Sequence, residues 1–146
     1  MSATFADSSA LVKLYADEAD AERVRSLKNV VVSELARVEV PAALWRKHRM
    51  GDVSARLIGV LVGEFEADYL GTDAERPRFH IVRVGPEILE QAARLVAVHD
   101  LRAYDAVQLA SAMATNAQVP ESVTFGAFDR QLCDAAAIEG LPLLAD

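Results

Sequence analysis

Apolar residues fall into two patterns along this chain: short unbroken runs, and longer segments in which they recur every three or four positions. Thr4-Phe5-Ala6 runs straight into Asp7, and Leu11, Leu14 and Tyr15 follow at helical spacing. That pattern predicts a short buried strand stopping at Asp7 and a helix capped by Asp7 or a neighbouring serine. One or two helices then carry Leu11, Leu14, Val24 and Leu27 inward. Residues 29–33 (Asn-Val-Val-Val-Ser) predict a second buried strand. Ser33 is expected to cap the next helix, with Leu35, Val38, Ala42 and Trp45 inward and a kink near Arg37 imposed by Pro41. A helix over about 53–70 carries Leu57, Leu61, Phe65 and Tyr69 in an i, i+4 series, and 71–78 is a polar turn.

Residues 79–84 predict a third strand, and Gly85-Pro86 opens a helix with Ile88, Leu89, Ala92, Leu95 and Val96 on one face. An alanine-rich helix over about 102–116, a fourth strand at 122–125 and a helix over about 130–139 follow. Leu141 to Leu144 reads as a short edge strand because of Pro142. Strands that alternate with helices, with no hairpin signal between them, predict a mostly parallel sheet of four to five strands covered on both faces. The expected fold is three-layer α/β/α, one domain spanning 1–146.

Composition narrows the class. The chain has 146 residues, 52% hydrophobic and 25% charged, enough for a substantial core and too apolar for disorder. No apolar run approaches the ~18 residues of a membrane span, and nothing at the N-terminus resembles an export signal. The lone Cys133 sits among Leu132 and Ala135–Ala137, a small buried hydrophobe in a reducing, cytoplasmic setting. Net charge is −7, from 15 Lys and Arg against 22 Asp and Glu. General nucleic-acid binders are usually basic, so any polyanion partner has to be held by local cations.

Four acids change this picture. Asp7 and Asp129 each stand between a predicted strand and a helix, where helix capping would explain either one singly. Glu39 follows Leu35 by four residues and precedes Ala42 and Ala43, at the margin of an apolar stripe. Asp105 falls in the first turn of the alanine-rich helix, where its charge suits the dipole. In a parallel sheet all four collect at the carboxyl end of the strands, where ligands bind. Two carboxylates ~4 Å apart repel by about 4 kcal/mol at an effective dielectric near 20, so the group needs bound protons or a cation. The three histidines (His48, His80, His99) are scattered, which disfavours zinc. An all-oxygen set suits Mg²⁺ or Mn²⁺, which activates water and shields a phosphodiester.

These segments resemble the PIN-domain nucleases, and within them the VapC toxins of toxin–antitoxin pairs. The resemblance runs over essentially the whole chain and rests on four motifs in order. They are residues 5–15 around Asp7, 38–46 around Glu39, 104–112 (Tyr-Asp-Ala-Val-Gln-Leu-Ala-Ser-Ala) and 128–132 with Ala135-Ala136 and Gly140-Leu141. It implies Mg²⁺- or Mn²⁺-dependent endoribonuclease activity with Asp7, Glu39, Asp105 and Asp129 as the acidic quartet. Asp7 and Asp105 would be the principal metal ligands, with Glu39 and Asp129 acting through water or a second ion. It further implies an RNA substrate, a VapB-type antitoxin and a homodimer. The chain departs from many relatives at Ala127, where they carry Thr or Ser, and at Gln108, where they carry His, usually not a metal ligand.

Of the remaining polar residues, Ser8, Lys13 and Arg46 are the candidate substrate contacts, while Arg46-Lys47-His48-Arg49 also suits an ordinary helix C-terminus. A receiver-type phosphoacceptor needs a late lysine, and the lysines here are Lys13, Lys28 and Lys47. A haloacid-type phosphatase needs Asp two residues after the first, where this chain has Ser9. The rival that survives is the same fold acting mainly by protein binding.

Overall fold

The computed structural model describes residues 2–145. Four strands, β1 (Thr4–Ala6), β2 (Val30–Ser33), β3 (His80–Val82) and β4 (Thr124–Gly126), form one sheet in the order β3-β2-β1-β4. Every pairing is parallel, with Phe5 opposite both Val31 and Phe125, and Val32 opposite Ile81. Seven helices are present among the described residues: α1 (Ser8–Val12), α2 (Ala21–Arg25), α3 (Ala36–Arg49), α4 (Ala55–Leu70), α5 (Pro86–His99), α6 (Ala103–Gln118) and α7 (Arg130–Ile138).

Strand alternation sorts the core into two layers. Phe5, Val31 and Phe125 project to one face, where they pack with Leu95 of α5, Leu109 of α6 and Leu132 of α7. Ala6, Val30 and Val32 project to the other, against Leu11 of α1, Leu44 of α3 and Phe65 of α4. Each of the Phe and Leu side chains among them, fully removed from water, contributes roughly 1.5–3 kcal/mol. The Phe5 and Phe125 rings lie parallel across neighbouring strands, 6.0 Å apart. The three-layer parallel fold expected from the sequence is the fold observed.

Details differ, for physical reasons. Ser33 does not cap α3. The β2 ladder runs one residue further, since Glu34 N donates to Val82 O at 2.9 Å, so the helix starts two residues later. Ser33 Oγ instead accepts from Leu35 N at 3.2 Å within that turn. The buried stripe of α3 is Ala36, Val40 and Leu44, leaving Val38 70% exposed and Trp45 at the surface. In α4 it is Ile58, Phe65 and Tyr69, with Leu57 48% exposed; in α5, Leu89 and Val96 face water. Pro41 lies inside α3, which continues to Arg49. The expected last strand shrinks to a single parallel bridge between Leu143 and Phe125.

Candidate active site

The sheet brings two of the four acids together directly. Ala6 pairs with Gly126, and Asp7 N donates to Gly126 O at 2.9 Å, so the chain leaves β1 and β4 side by side. Asp7 then caps α1 and Asp129 caps α7, its Oδ2 accepting from Leu132 N at 2.9 Å. Capping a helix and lining a shared cavity are therefore not alternatives: both hold for each residue. Glu39 comes from the first turns of α3, and Asp105 from the first turn of α6. All four, together with Ser8, line one cavity of about 340 Å³.

Asp7, Glu39 and Asp129 are held by specific donors, whereas Asp105 has only a long ion pair. Asp7, only 4% exposed, accepts at Oδ1 from Ser9 Oγ (2.7 Å) and Ala10 N (3.0 Å). Ser9 Oγ also accepts from Phe128 N at 3.1 Å, which ties the loop after β1 to the loop after β4. Glu39 Oε1 accepts from Gln108 Nε2 at 2.6 Å and from Ser8 Oγ at 3.0 Å. Asp105 Oδ2 lies 3.8 Å from the exposed Arg102 Nε.

The electrostatics record the crowding. Burial pushes the Asp7 carboxyl up to about 7; the Ser9 and Ala10 hydrogen bonds oppose this, and the charges of Asp105 and Glu39 add to it. Burial also raises Glu39, against the Gln108 and Ser8 hydrogen bonds and with the help of Asp105. Asp105 is raised by burial and by the charge of Asp129, with Arg102 opposing. The four acids thus sense one another across the cavity.

The PIN domain family profile matches residues 4–138, nearly the whole chain. The chain belongs to the PIN-domain family. PIN domains are generally nucleases. A crystal structure of PAE2754 from Pyrobaculum aerophilum aligns over 99% of this chain and 85% of that one, at 20% identity and a TM-score of 0.61. A toxin–antitoxin complex from Klebsiella pneumoniae aligns over 83% of each chain, at 15% identity and a TM-score of 0.52. At these identities the likeness is one of fold. No curated protein matches the chain in sequence.

The donor set of this PIN domain is chemically suited to a hard divalent cation: oxygen only, anionic and mutually repelling. Among the described residues, however, no three His, Cys, Asp or Glu side chains are disposed to hold an ion between them. What fits is an ion held by one or two carboxylates and otherwise by water, the usual arrangement for Mg²⁺.

Lys13 and Arg46 stand apart from the acid cavity. They line an adjoining groove of about 840 Å³ that shares Ser8, Glu39 and Asp129 with it. Lys13 Nζ is engaged there by Glu18 Oε1 (3.3 Å) and Ala19 O (2.8 Å) and lies 4.6 Å from the Phe128 ring centroid. Gln108, which the sequence suggests only as a position that is usually not a metal ligand, holds Glu39. The visible signal was an amide three residues after Asp105, amid Ala106, Val107, Leu109 and Ala110, where a polar side chain needs a reason. Ala127 is buried, its carbonyl accepting from Cys133 Sγ at 3.2 Å; the hydroxyl between the two loops comes from Ser9 instead.

Proposed function

We propose that this PIN domain is a Mg²⁺- or Mn²⁺-dependent endoribonuclease, the toxin of a VapBC-type pair acting in the cytoplasm. The observation that carries this reading is the convergence of Asp7, Glu39, Asp105 and Asp129 on one cavity at the carboxyl end of the sheet. A divalent ion bound there supplies a polarised water and neutralises charge on a phosphodiester oxygen. Asp7 and Asp105, raised by burial and by their neighbours, gain most from a cation and are its principal ligands. Glu39, held through Oε1 by Gln108 and Ser8, would act on the ion through water. Asp129, anchored as a cap, orients water from the β4 side.

Ser8, Lys13 and Arg46 serve substrate in this reading, Ser8 by holding Glu39 and the two cations along the groove. The antitoxin reading draws support from the toxin–antitoxin complex with which the fold aligns, and from exposed Val38, Met50 and Tyr104 along the groove. A homodimer belongs to the same reading, favoured by exposed Leu89, Val96 and Ile138 on the opposite helices. No helix among the described residues is long and apolar enough to cross a membrane.

A cleavage assay on structured RNA tests the proposal. Cleavage should require Mg²⁺ or Mn²⁺, stop in EDTA and be absent in Asp105→Asn. Cleavage by a clean preparation of that variant equal to wild type defeats the catalytic assignment, whereas a wild type that cuts nothing in Mg²⁺ or Mn²⁺ leaves the protein-binding reading in its place.

A further inference from the structure

Two lysines in the groove converge on one carboxylate. Lys13, at the end of α1, approaches Glu18 Oε1 at 3.3 Å, and Lys47, in the last turn of α3, donates to Glu18 Oε2. The three side chains are only 11%, 26% and 25% exposed, so the two ammonium groups are held in place rather than free in solvent. Lys13 is fixed further by Ala19 O and the Phe128 ring. Partial burial works against the Glu18 charge, but the Lys47 hydrogen bond and the two lysine charges outweigh it and keep its carboxyl below the usual range. Glu18 therefore sits between them as an anion.

Tying the segment after α1 to α3 needs one cation at most, and one partly exposed ion pair already supplies the roughly 1 kcal/mol that such a tie contributes. The second lysine adds little to a tie. One cation to each oxygen of an anion is, however, how the two non-bridging oxygens of a phosphodiester are bound. The position suits that anion too, because the groove runs on from the acid cavity through Ser8, Glu39 and Asp129. A chain of net charge −7 has to supply local cations wherever a polyanion is to lie.

We propose that Lys13 and Lys47 form a binding site for a backbone phosphate beside the one being cut, and that the chain's own Glu18 fills this site until RNA displaces it. The proposal rests on the nuclease reading for the identity of the polyanion, not for the site. Glu18 then sets RNA affinity: it competes for both lysines whenever substrate leaves.

The test measures binding of the full chain to a fluorescein-labelled, mixed-sequence single-stranded RNA in EDTA, where nothing is cut. Glu18→Gln should tighten Kd about three- to tenfold, and Lys47→Gln should weaken it by a similar factor, while Lys47→Arg stays within twofold of wild type. On the Lys47→Gln background Glu18→Gln should lose most of its effect, because the two act on one contact. Thermal melts accompany each variant. Unchanged or weaker binding by a fully folded Glu18→Gln overturns the proposal. So does equal tightening on both backgrounds, which would mark general repulsion, or equal weakening by Lys47→Gln and Lys47→Arg, which would mark packing. If RNA is bound in this rank order but never cut in Mn²⁺, the phosphate site stands and the nuclease reading falls.

Discussion

Gln108 Nε2 donates to Glu39 Oε1 at 2.6 Å, across 69 residues of sequence. The same amide reaches Ser8 Oγ at 3.3 Å, and Ser8 Oγ donates to the same carboxylate oxygen. Helices α3, α6 and α1 are thereby joined through one acid. Gln108 is 2% exposed, and its Oε1 is buried without a partner. An orphaned buried acceptor costs about 1–3 kcal/mol. The helix tolerates that cost because turning the amide over would set oxygen against the Glu39 carboxylate. Gln108 is a positioning residue for Glu39, not a candidate ligand.

Gln108→Leu follows from this. It removes the donor and the orphaned acceptor together at similar volume, so stability should move by less than about 1.5 kcal/mol. Glu39 loses its shorter hydrogen bond, and apparent Mn²⁺ affinity should fall about 10–100-fold, as when partners of metal-site carboxylates are removed. A Mn²⁺ titration read by melting temperature checks this without reference to activity. Wild-type affinity in the variant would return Gln108 to the core.

Asp7 yields a prediction about stability. It is a buried acid with the charges of Asp105 and Glu39 nearby. Asp7→Asn keeps an oxygen to accept from Ala10 N and removes the charge. In EDTA at pH 8 it should be more stable than wild type by on the order of 2–4 kcal/mol, while RNA cleavage and the Mn²⁺-induced rise in melting temperature both vanish. Urea melts with and without Mn²⁺ measure both effects. A variant equal in stability to wild type in EDTA would show that Asp7 acts chiefly as a cap, which asparagine preserves.

The same group sets a pH dependence. Unfolded aspartate titrates near 3.9, whereas folded Asp7 titrates at about 7. Between these values the folded chain keeps a proton that the unfolded chain has released, so stability falls as pH rises through the window and stays low above 7. Glu18 and Glu139 are held below their usual range and work the other way, losing their stabilisation as pH falls through the acid range. The difference in unfolding free energy between wild type and Asp7→Asn, followed from pH 5 to 8 in EDTA, isolates the Asp7 contribution. It should grow steadily less favourable to wild type, and a flat difference would contradict the assigned burial.

How much of this was legible beforehand depends on the range over which each feature is determined. Strand positions and the parallel pairing were readable because buried runs such as 30–33 and the helices between them are local patterns, whereas the strand order was not. The convergence of the four acids on one cavity was readable because Asp7 and Asp129 each follow a strand and Asp105 opens a helix. Inward faces were less so: Val38 and Leu57 fit a 3.6-residue period as well as Val40 and Ile58 do, and only the neighbouring helices choose between them. The partners of the acids were not legible at all. Ser9 meets Phe128 and Gln108 meets Glu39 across 119 and 69 residues, and no periodicity encodes such pairings.

Ser9 shows what one such pairing contributes. Its hydroxyl donates to Asp7 and accepts from Phe128 N, joining the loops after β1 and β4. Ser9→Ala leaves the Phe128 amide without that partner and should cost about 1–3 kcal/mol in urea unfolding. It also removes a hydrogen bond that favours ionised Asp7, so the Asp7 transition should move above 7. A proton-linked stability profile unchanged from wild type would mean that the Ser9 hydroxyl does not hold the acid.

Asp129 offers the most direct test of structure against chemistry, because one carboxyl group both caps a helix and lines the cavity. Its Oδ2 caps α7 through Leu132 N, and it raises Asp105 by charge across the cavity. Asparagine caps helices as well as aspartate does, whereas alanine does not. Asp129→Asn should therefore unfold within about 0.5 kcal/mol of wild type, while Asp129→Ala loses about 1 kcal/mol more. If Asp129 serves only α7, the Asn variant will cleave RNA like wild type and the Ala variant only slightly less. If it orients water in the cavity, both variants lose cleavage to the same extent despite their different stabilities.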